Sequence, residues 1–192
     1  MKAHISRRYV PVIAFITLWI GASFSLLYYS PEGLIDLIGI KNAYFFLFAL
    51  AFLSGISIFG GIPYHLVLIA LAAGGLDPWL LALAAAGGVM LGDSTSYFIG
   101  YQGRIIVPEA FERRINVLSS WLAKYPRRVP FFFLLYGSLV PFSNDFVGIT
   151  TGLARYPFAR VMLPLGVGNL IFNATLALLS PYLYDTLHTL FT

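Results

Sequence analysis

Residues 129–152, VPFFFLLYGSLVPFSNDFVGITTG, limit what this chain can become more than any other stretch. An apolar arm, residues 130–136, runs into a break, residues 137–145, that carries Gly137, Ser138, Pro141, Ser143, Asn144 and Asp145. A weaker apolar arm, residues 146–152, follows. Each arm is too short to cross roughly 30 Å of hydrocarbon as a helix, which takes about 20 residues. Together they predict a re-entrant hairpin whose tip holds polar groups at membrane depth. Backbone that is not helical survives there only where protein or a water-filled cavity satisfies it. An ionisable residue in such a place is a functional-site candidate.

Composition agrees with a membrane setting. The chain has 192 residues, of which 59% are hydrophobic and 10% charged. Its mean hydropathy is +0.82. A soluble domain carries about 25% charged residues, so the expectation is an integral membrane protein. The length suits one domain of roughly five or six membrane segments and leaves no room for a soluble catalytic domain. The net charge of +4 comes from basic residues that flank apolar runs and form no stripe. They read as markers of the cytoplasmic side, not as a nucleic-acid surface. The absence of cysteine excludes disulfides, thiolate metal sites and thiol nucleophiles. No Ser/His/Asp or metal-ligand set has recognisable spacing, so neither an enzyme, a metal nor a cofactor is expected.

Residues 9–29 follow Lys2, Arg7 and Arg8 and read as a retained first transmembrane helix with a cytoplasmic N-terminus. The competing reading is a cleaved signal peptide, but the run is long and no small-x-small site follows it. Residues 34–40 are expected at the outer interface. Residues 42–75 form a first hairpin, broken at Gly60, Gly61, Pro63 and His65. Asp77-Pro78 opens a transmembrane helix over 78–101, whose small residues from Ala82 to Gly92 permit close packing. Residues 102–128 have a basic excess and are cytoplasmic. There Phe111, Ile115, Leu118 and Leu122 recur at helical spacing, so one face suits the membrane surface. The second hairpin, 129–153, leads to a last transmembrane helix over 157–180, stopped by Ser180-Pro181 before a short tail with Asp185 and His188.

If the first helix leaves the cytoplasm and 78–101 returns to it, residues 42–75 begin and end outside. The second hairpin begins near Arg128 and ends near Arg155, both on the cytoplasmic side. The hairpins would enter from opposite faces and meet near the midplane. Pro63 to Gly74 and Pro141 to Gly152 are both eleven residues, and Pro78 to Gly87 and Pro157 to Gly166 are both nine. Matched spacing in segments of opposite orientation is what an inverted repeat predicts. The expected fold is an all-α integral membrane protein of transmembrane helices plus two opposed re-entrant helical hairpins in an inverted repeat, one domain over 1–192.

The segment from Pro63 to Gly92-Asp93, with Tyr97 and Gly100, resembles the DedA family, also called the VTT or SNARE-associated Golgi protein family. Gly137-x-x-x-Pro141 and Gly152-Leu153-Ala154-Arg155-Tyr156-Pro157-Phe158 are similar to its second block. The resemblance spans roughly residues 42–179. It implies two opposed re-entrant hairpins and the movement of phospholipid or polyprenyl-phosphate lipids between leaflets, often linked to proton motive force. His65 stands where the family usually has a glutamate, and Ser138 and Asn144 stand where it has arginines. Residues 141–146, PFSNDF, look like the tip of the vacuole membrane protein branch, whose members are lipid scramblases. These departures favour phospholipid scrambling, or another substrate, over anionic polyprenyl-phosphate transport.

The candidate substrate or proton pathway is therefore Asp145, Asn144, Asp93 and His65. Asp145 is a proton carrier or headgroup contact, or else a carboxylate capping the second arm. Asn144 makes a headgroup contact or satisfies the tip. Asp93, inside an apolar helix, costs about 3 kcal/mol if uncompensated and needs a partner, with Tyr97 and Arg104 as candidates. His65 titrates near neutral pH when unperturbed, against which stands an ordinary structural histidine. Pro63, Pro141, Gly61, Gly137, Ser138 and Ser143 shape the tips. Asn169 and Asn173 line a polar path or bond between helices. The function expected is a lipid scramblase or flippase, with a proton-coupled small-solute transporter as the alternative and a non-transporting membrane organiser as a third reading. The expected partners are membrane lipids and protons, with a homodimer as the candidate assembly and no nucleic acid. The expected location is the plasma membrane of a prokaryote.

Overall fold

The computed structural model describes residues 31–56, 64–140 and 144–191. The first helix expected at 9–29 lies outside the described residues, as do Gly61, Pro63, Pro141 and Ser143 of the expected hairpin tips. Among the described residues the chain is all α, without a strand. Its helices are α1 (Pro31–Ile38), α2 (Ile40–Ile56), α3 (Tyr64–Ala73), α4 (Pro78–Gly103), α5 (Glu109–Lys124), α6 (Arg128–Leu139), α7 (Asp145–Leu153), α8 (Phe158–Leu178) and α9 (Ser180–Phe191). A short 3-10 turn, Arg104–Ile106, joins α4 to α5.

The centre of the molecule is the crossing of α4 and α8. Helix α2 lies along α4, and α6 lies along α8. Helix α7 packs further along α4, from Asp93 to Tyr101, while α3 packs on α8 and α9. Small residues permit these approaches. A Cβ on Gly88 of α4 would sit 2.4 Å from the Phe48 carbonyl oxygen and 2.9 Å from the Phe52 nitrogen of α2. A Cβ on Gly168 of α8 would sit 2.4 Å from the Leu134 oxygen and 2.9 Å from the Ser138 nitrogen of α6. The two helix pairs thus meet through the same backbone contact.

The connections agree as well. At the end of α3, the amides of Gly74, Gly75 and Leu76 donate to the carbonyls of Ala70, Ala72 and Leu71. At the end of α7, the amides of Ala154, Arg155 and Tyr156 donate to those of Thr150, Gly152 and Thr151. Both are left-handed helix stops of the Schellman type, with φ +92° at Gly75 and +53° at Arg155. Leu76 and Tyr156, one residue on, are both buried. The geometry therefore matches at an interval of 80 residues, Gly75 with Arg155, and not at the 78 that pairs Gly74 with Gly152.

Asp77 starts α4 by accepting from the amides of Trp79 and Leu80, both at 2.9 Å. Pro78 occupies the first turn, where its missing N–H has no intrahelical partner to lose. Ser180-Pro181 does end α8, yet it opens a further helix, α9, where the sequence suggested only a short tail. The same fixed proline φ that cannot continue one helix suits the first turn of the next. On helix α5, Leu122 is buried with Leu118 packed beside it, while Phe111 of the same expected face is exposed, as is Trp121.

Candidate functional site

Helix α7 begins on the middle of α4. Gly148 lies under the Asp93 carbonyl oxygen and the Tyr97 amide, and Gly152 lies under the Tyr97 carbonyl oxygen. With only hydrogens on that face of α7, its first turn reaches the side chains of α4. Asn144 and Asp145, which open α7, are 4% and 3% exposed, and Asp93 is 1% exposed.

The hydrogen bonds tie three helices together. Asn144 Nδ2 donates to Asp93 Oδ2 at 2.9 Å and to Asn169 Oδ1 of α8 at 3.2 Å. The Ser96 hydroxyl, one turn beyond Asp93, donates to Asp145 Oδ1. Asn173 Nδ2 donates to the Asn169 carbonyl oxygen at 2.8 Å. The Tyr64 phenol at the start of α3 lies beside Asn173, within electrostatic reach of Asp93. The result is a buried polar cluster in an otherwise apolar centre, which is costly unless its members satisfy one another.

Three of the four pathway candidates, Asp93, Asn144 and Asp145, thus come together. His65 stands apart: its ring is 3.9 Å from that of Tyr64 and 5.5 Å, edge-on, from that of Phe172. The partner of Asp93 is Asn144. The two partners suggested by the sequence are engaged elsewhere. The Tyr97 hydroxyl donates to the Tyr156 carbonyl oxygen at 2.6 Å. Arg104 donates to the Leu153 carbonyl oxygen at 2.8 Å and to Asn116 Oδ1 at 2.7 Å. It caps the end of α7, where unpaired carbonyls and the helix dipole favour a cation. Asn144 occupies the N-cap position of α7 but makes no side-chain cap bond there; its amide is spent on Asp93 and Asn169. Ser138 bonds its own helix, donating to the Leu134 oxygen at 2.8 Å, and Gly137 packs against Leu165 and Asn169.

Ser96 and Tyr64 escaped the sequence reading. Ser96 was within reach, since a residue three on from Asp93 shares its helix face. Among the described residues no three His, Asp or Glu side chains converge as a metal set. The oxygens that gather here belong to amides, two hydroxyls and two carboxylates. A shallow hollow on α5, lined by Glu112, Arg113, Asn116, Val117 and Ser120, contains none of the cluster.

Comparison with curated proteins and with solved structures gave no match. The VTT-domain family model matches residues 62–180, which include α3 to α8 and so the entire polar cluster. The chain belongs to the VTT-domain family, whose members are membrane proteins of the DedA type.

Proposed function

We propose that this protein moves lipid between the two leaflets of a membrane, as a DedA-like scramblase or flippase. The observation that carries the reading is the buried hydrogen-bonded link from Asn144 to both Asp93 and Asn169. It brings a polar helix start to the middle of α4 and the apolar α8. In lipid such groups are retained where they serve a path, since each is costly to bury.

The membrane disposition rests on further features. Helix α8, 21 residues, is long and apolar enough to cross a bilayer by length and composition. Trp79, Leu83, Leu91 and Phe98 on α4, Phe131 and Phe132 on α6, and Leu163, Val167 and Ile171 on α8 are exposed apolar side chains. Exposed apolar surface on that scale suits a lipid contact. The helix pairs α2–α3 and α6–α7 are the arms of two re-entrant hairpins entering from opposite faces. Their shared turn and shared glycine contact support an inverted repeat, with the site where the halves meet. The N-terminus is cytoplasmic, in the plasma membrane of a prokaryote. The protein is a transporter and not an enzyme, works without a cofactor, meets membrane lipids as its partners, and assembles as a homodimer.

Physically, polar tips near the midplane thin the hydrocarbon barrier and hydrate a groove along which a headgroup slides while the acyl tails stay in lipid. Asp145, Asn144 and Asp93 line that groove. The alternative, a proton-coupled transporter of a small solute, is favoured by one observation: two buried carboxylates, Asp93 and Asp145, are joined to a single α7 helix start. The deciding experiment is leaflet exchange of a labelled phospholipid in liposomes holding the purified protein. Fast exchange that Asn144→Ala plus Asp145→Ala abolishes is expected. Exchange no faster than in empty liposomes, restored to neither leaflet without an imposed pH gradient, rejects the scramblase in favour of the coupled carrier.

A further inference from the structure

We propose that the buried cluster between α4, α7 and α8 binds one monovalent inorganic cation of the sodium class, held by oxygens of Asp93, Asn144 and Asn173. The inference goes beyond lipid movement and does not depend on which cargo the protein carries. It begins with three acceptors. Asp93 Oδ1, Asn144 Oδ1 and Asn173 Oδ1 are buried without a well-formed hydrogen bond, although the Asn169 amide lies against Asp93 and the Tyr64 phenol against Asn173. The orientations of the two amides are fixed by their other halves. Asn144 Nδ2 donates to a carboxylate oxygen and an amide oxygen, and Asn173 Nδ2 donates to a backbone carbonyl oxygen, none of which can donate in return. Each flip would place acceptor against acceptor, so the free atom on each amide is the oxygen.

Charge supplies the second argument. Asp93 has no cationic side chain against it among the described residues: its hydrogen-bonding neighbours are amides. No lysine, arginine or histidine occurs in α4, from Pro78 to Gly103, or anywhere from residue 129 to 154. On α8 the only basic residue is Arg160, in the first turn. A buried carboxylate without a counter-charge is costly. The backbone adds a third argument. Helix α6 ends at Leu139, with Gly137 packed against the Asn169 backbone, so the negative end of its dipole lies close to Asn169. Broken helices ending in this way coordinate coupling ions in transporters. Hard oxygen donors, one carboxylate and neutral amides match a small singly charged ion better than a soft or transition metal. Asp93 is 1% exposed while the groove is closed as it is here, so a bare ion is what fits beside it in this state.

The test is equilibrium binding of radiolabelled sodium to the full chain in nanodiscs, with choline holding the ionic strength constant. Saturable binding is expected, displaced by unlabelled sodium and not by choline. Asp93→Asn abolishes it, Asn173→Ala weakens it by about 10-fold or more, and Asn116→Ala on α5 leaves it unchanged. A wild-type protein that binds no more sodium than empty nanodiscs, from neutral to mildly alkaline pH, overturns the proposal and leaves the proton as the only counter-ion. Binding undiminished in a folded Asp93→Asn protein overturns it too. Should Asp93→Asn fail to fold, the wild-type titration and Asn173→Ala still decide. Leaflet exchange, measured on the same preparation in sodium-free medium, reports on the lipid reading separately, so either idea can fail alone.

Discussion

Helix α3 meets α8 much as α7 meets α4, but the two meetings carry different chemistry. At the interval of 80 residues set by the shared turns, Tyr64 and His65 stand opposite Asn144 and Asp145, and Asn173 stands opposite Asp93. In one half the contact is between a phenol, an imidazole, the Phe172 ring and an amide. In the other it is two carboxylates, an amide and the Ser96 hydroxyl. The spacing between helices differs in the same sense. Where α7 offers Gly148 and Gly152 to α4, α3 offers Leu68 and Ala72. Backbone geometry repeats across the halves, while polarity and closeness do not. The polar half is the close half, because only glycine lets a helix start reach the side chains of its neighbour without intervening bulk.

The largest effect should come from closing that gap. In Gly152→Ala the added Cβ would lie 2.2 Å from the Tyr97 carbonyl oxygen and 2.8 Å from the Tyr101 amide, both backbone atoms that cannot swing aside. Overpacking of this kind costs about 3 kcal/mol, read as a loss of unfolding free energy in denaturant. The counterpart change, Ala72→Gly, loosens the backbone and removes one buried methyl, and should cost about 1–2 kcal/mol. Equal losses at the two positions would mean that glycine does not set the distance between α7 and α4.

A second pair of substitutions separates chemistry from packing. Asp145→Leu strands the Ser96 hydroxyl, which costs about 1–3 kcal/mol for an unsatisfied buried donor. It should also abolish leaflet exchange. His65→Leu, at the counterpart position, replaces a half-buried ring held by aromatic contacts, so it should cost about 1 kcal/mol and leave most of the exchange. Exchange lost equally in both proteins would make the halves functionally alike and erase the distinction drawn above.

The sequence made the breaks legible because proline and glycine interrupt apolar runs in only a few ways. Helices α4, α6, α7 and α8 fall close to where those breaks put them, and Asp77 caps α4 where the Asp-Pro pair suggests. The register of the halves was harder to read. Matching glycine with glycine gives an interval of 78, but the position that needs φ > 0 is held by Gly75 in one half and by Arg155 in the other. Residue identity misleads there, and the hydrogen-bond pattern of the stop is what repeats. Asp93 shows a different limit. Helical spacing nominates Tyr97, one turn along the same helix, whereas the actual partner, Asn144, is 51 residues away in sequence and arrives only through the packing of α7 on α4. That packing did leave a trace, Gly148-x-x-x-Gly152, whose spacing lets helix backbones approach closely. Asn144, Asp145 and Asp93 could be named one by one as polar groups in apolar surroundings. That they form one cluster, and His65 another, needed the fold.

The smallest predicted effect bears on the shared turns. A Cβ at Gly75 meets nothing within 4 Å, so Gly75→Ala is opposed only by the left-handed backbone, φ +92°. It should destabilise by about 1 kcal/mol. Arg155 already bears that penalty at φ +53°, and its guanidinium lies 5.3 Å over the Tyr101 ring. Arg155→Gly would relieve roughly 1 kcal/mol of backbone strain while giving up about 0.5–1 kcal/mol of cation–π attraction at an exposed site. The two terms nearly cancel, so the unfolding midpoint should scarcely move. Combining Arg155→Gly with Tyr101→Leu isolates the backbone term: relative to Tyr101→Leu alone, the added glycine should stabilise by about 1 kcal/mol. If it does not, the resemblance of the two turns is one of hydrogen-bond pattern alone, and the strain at Arg155 is relieved by its surroundings.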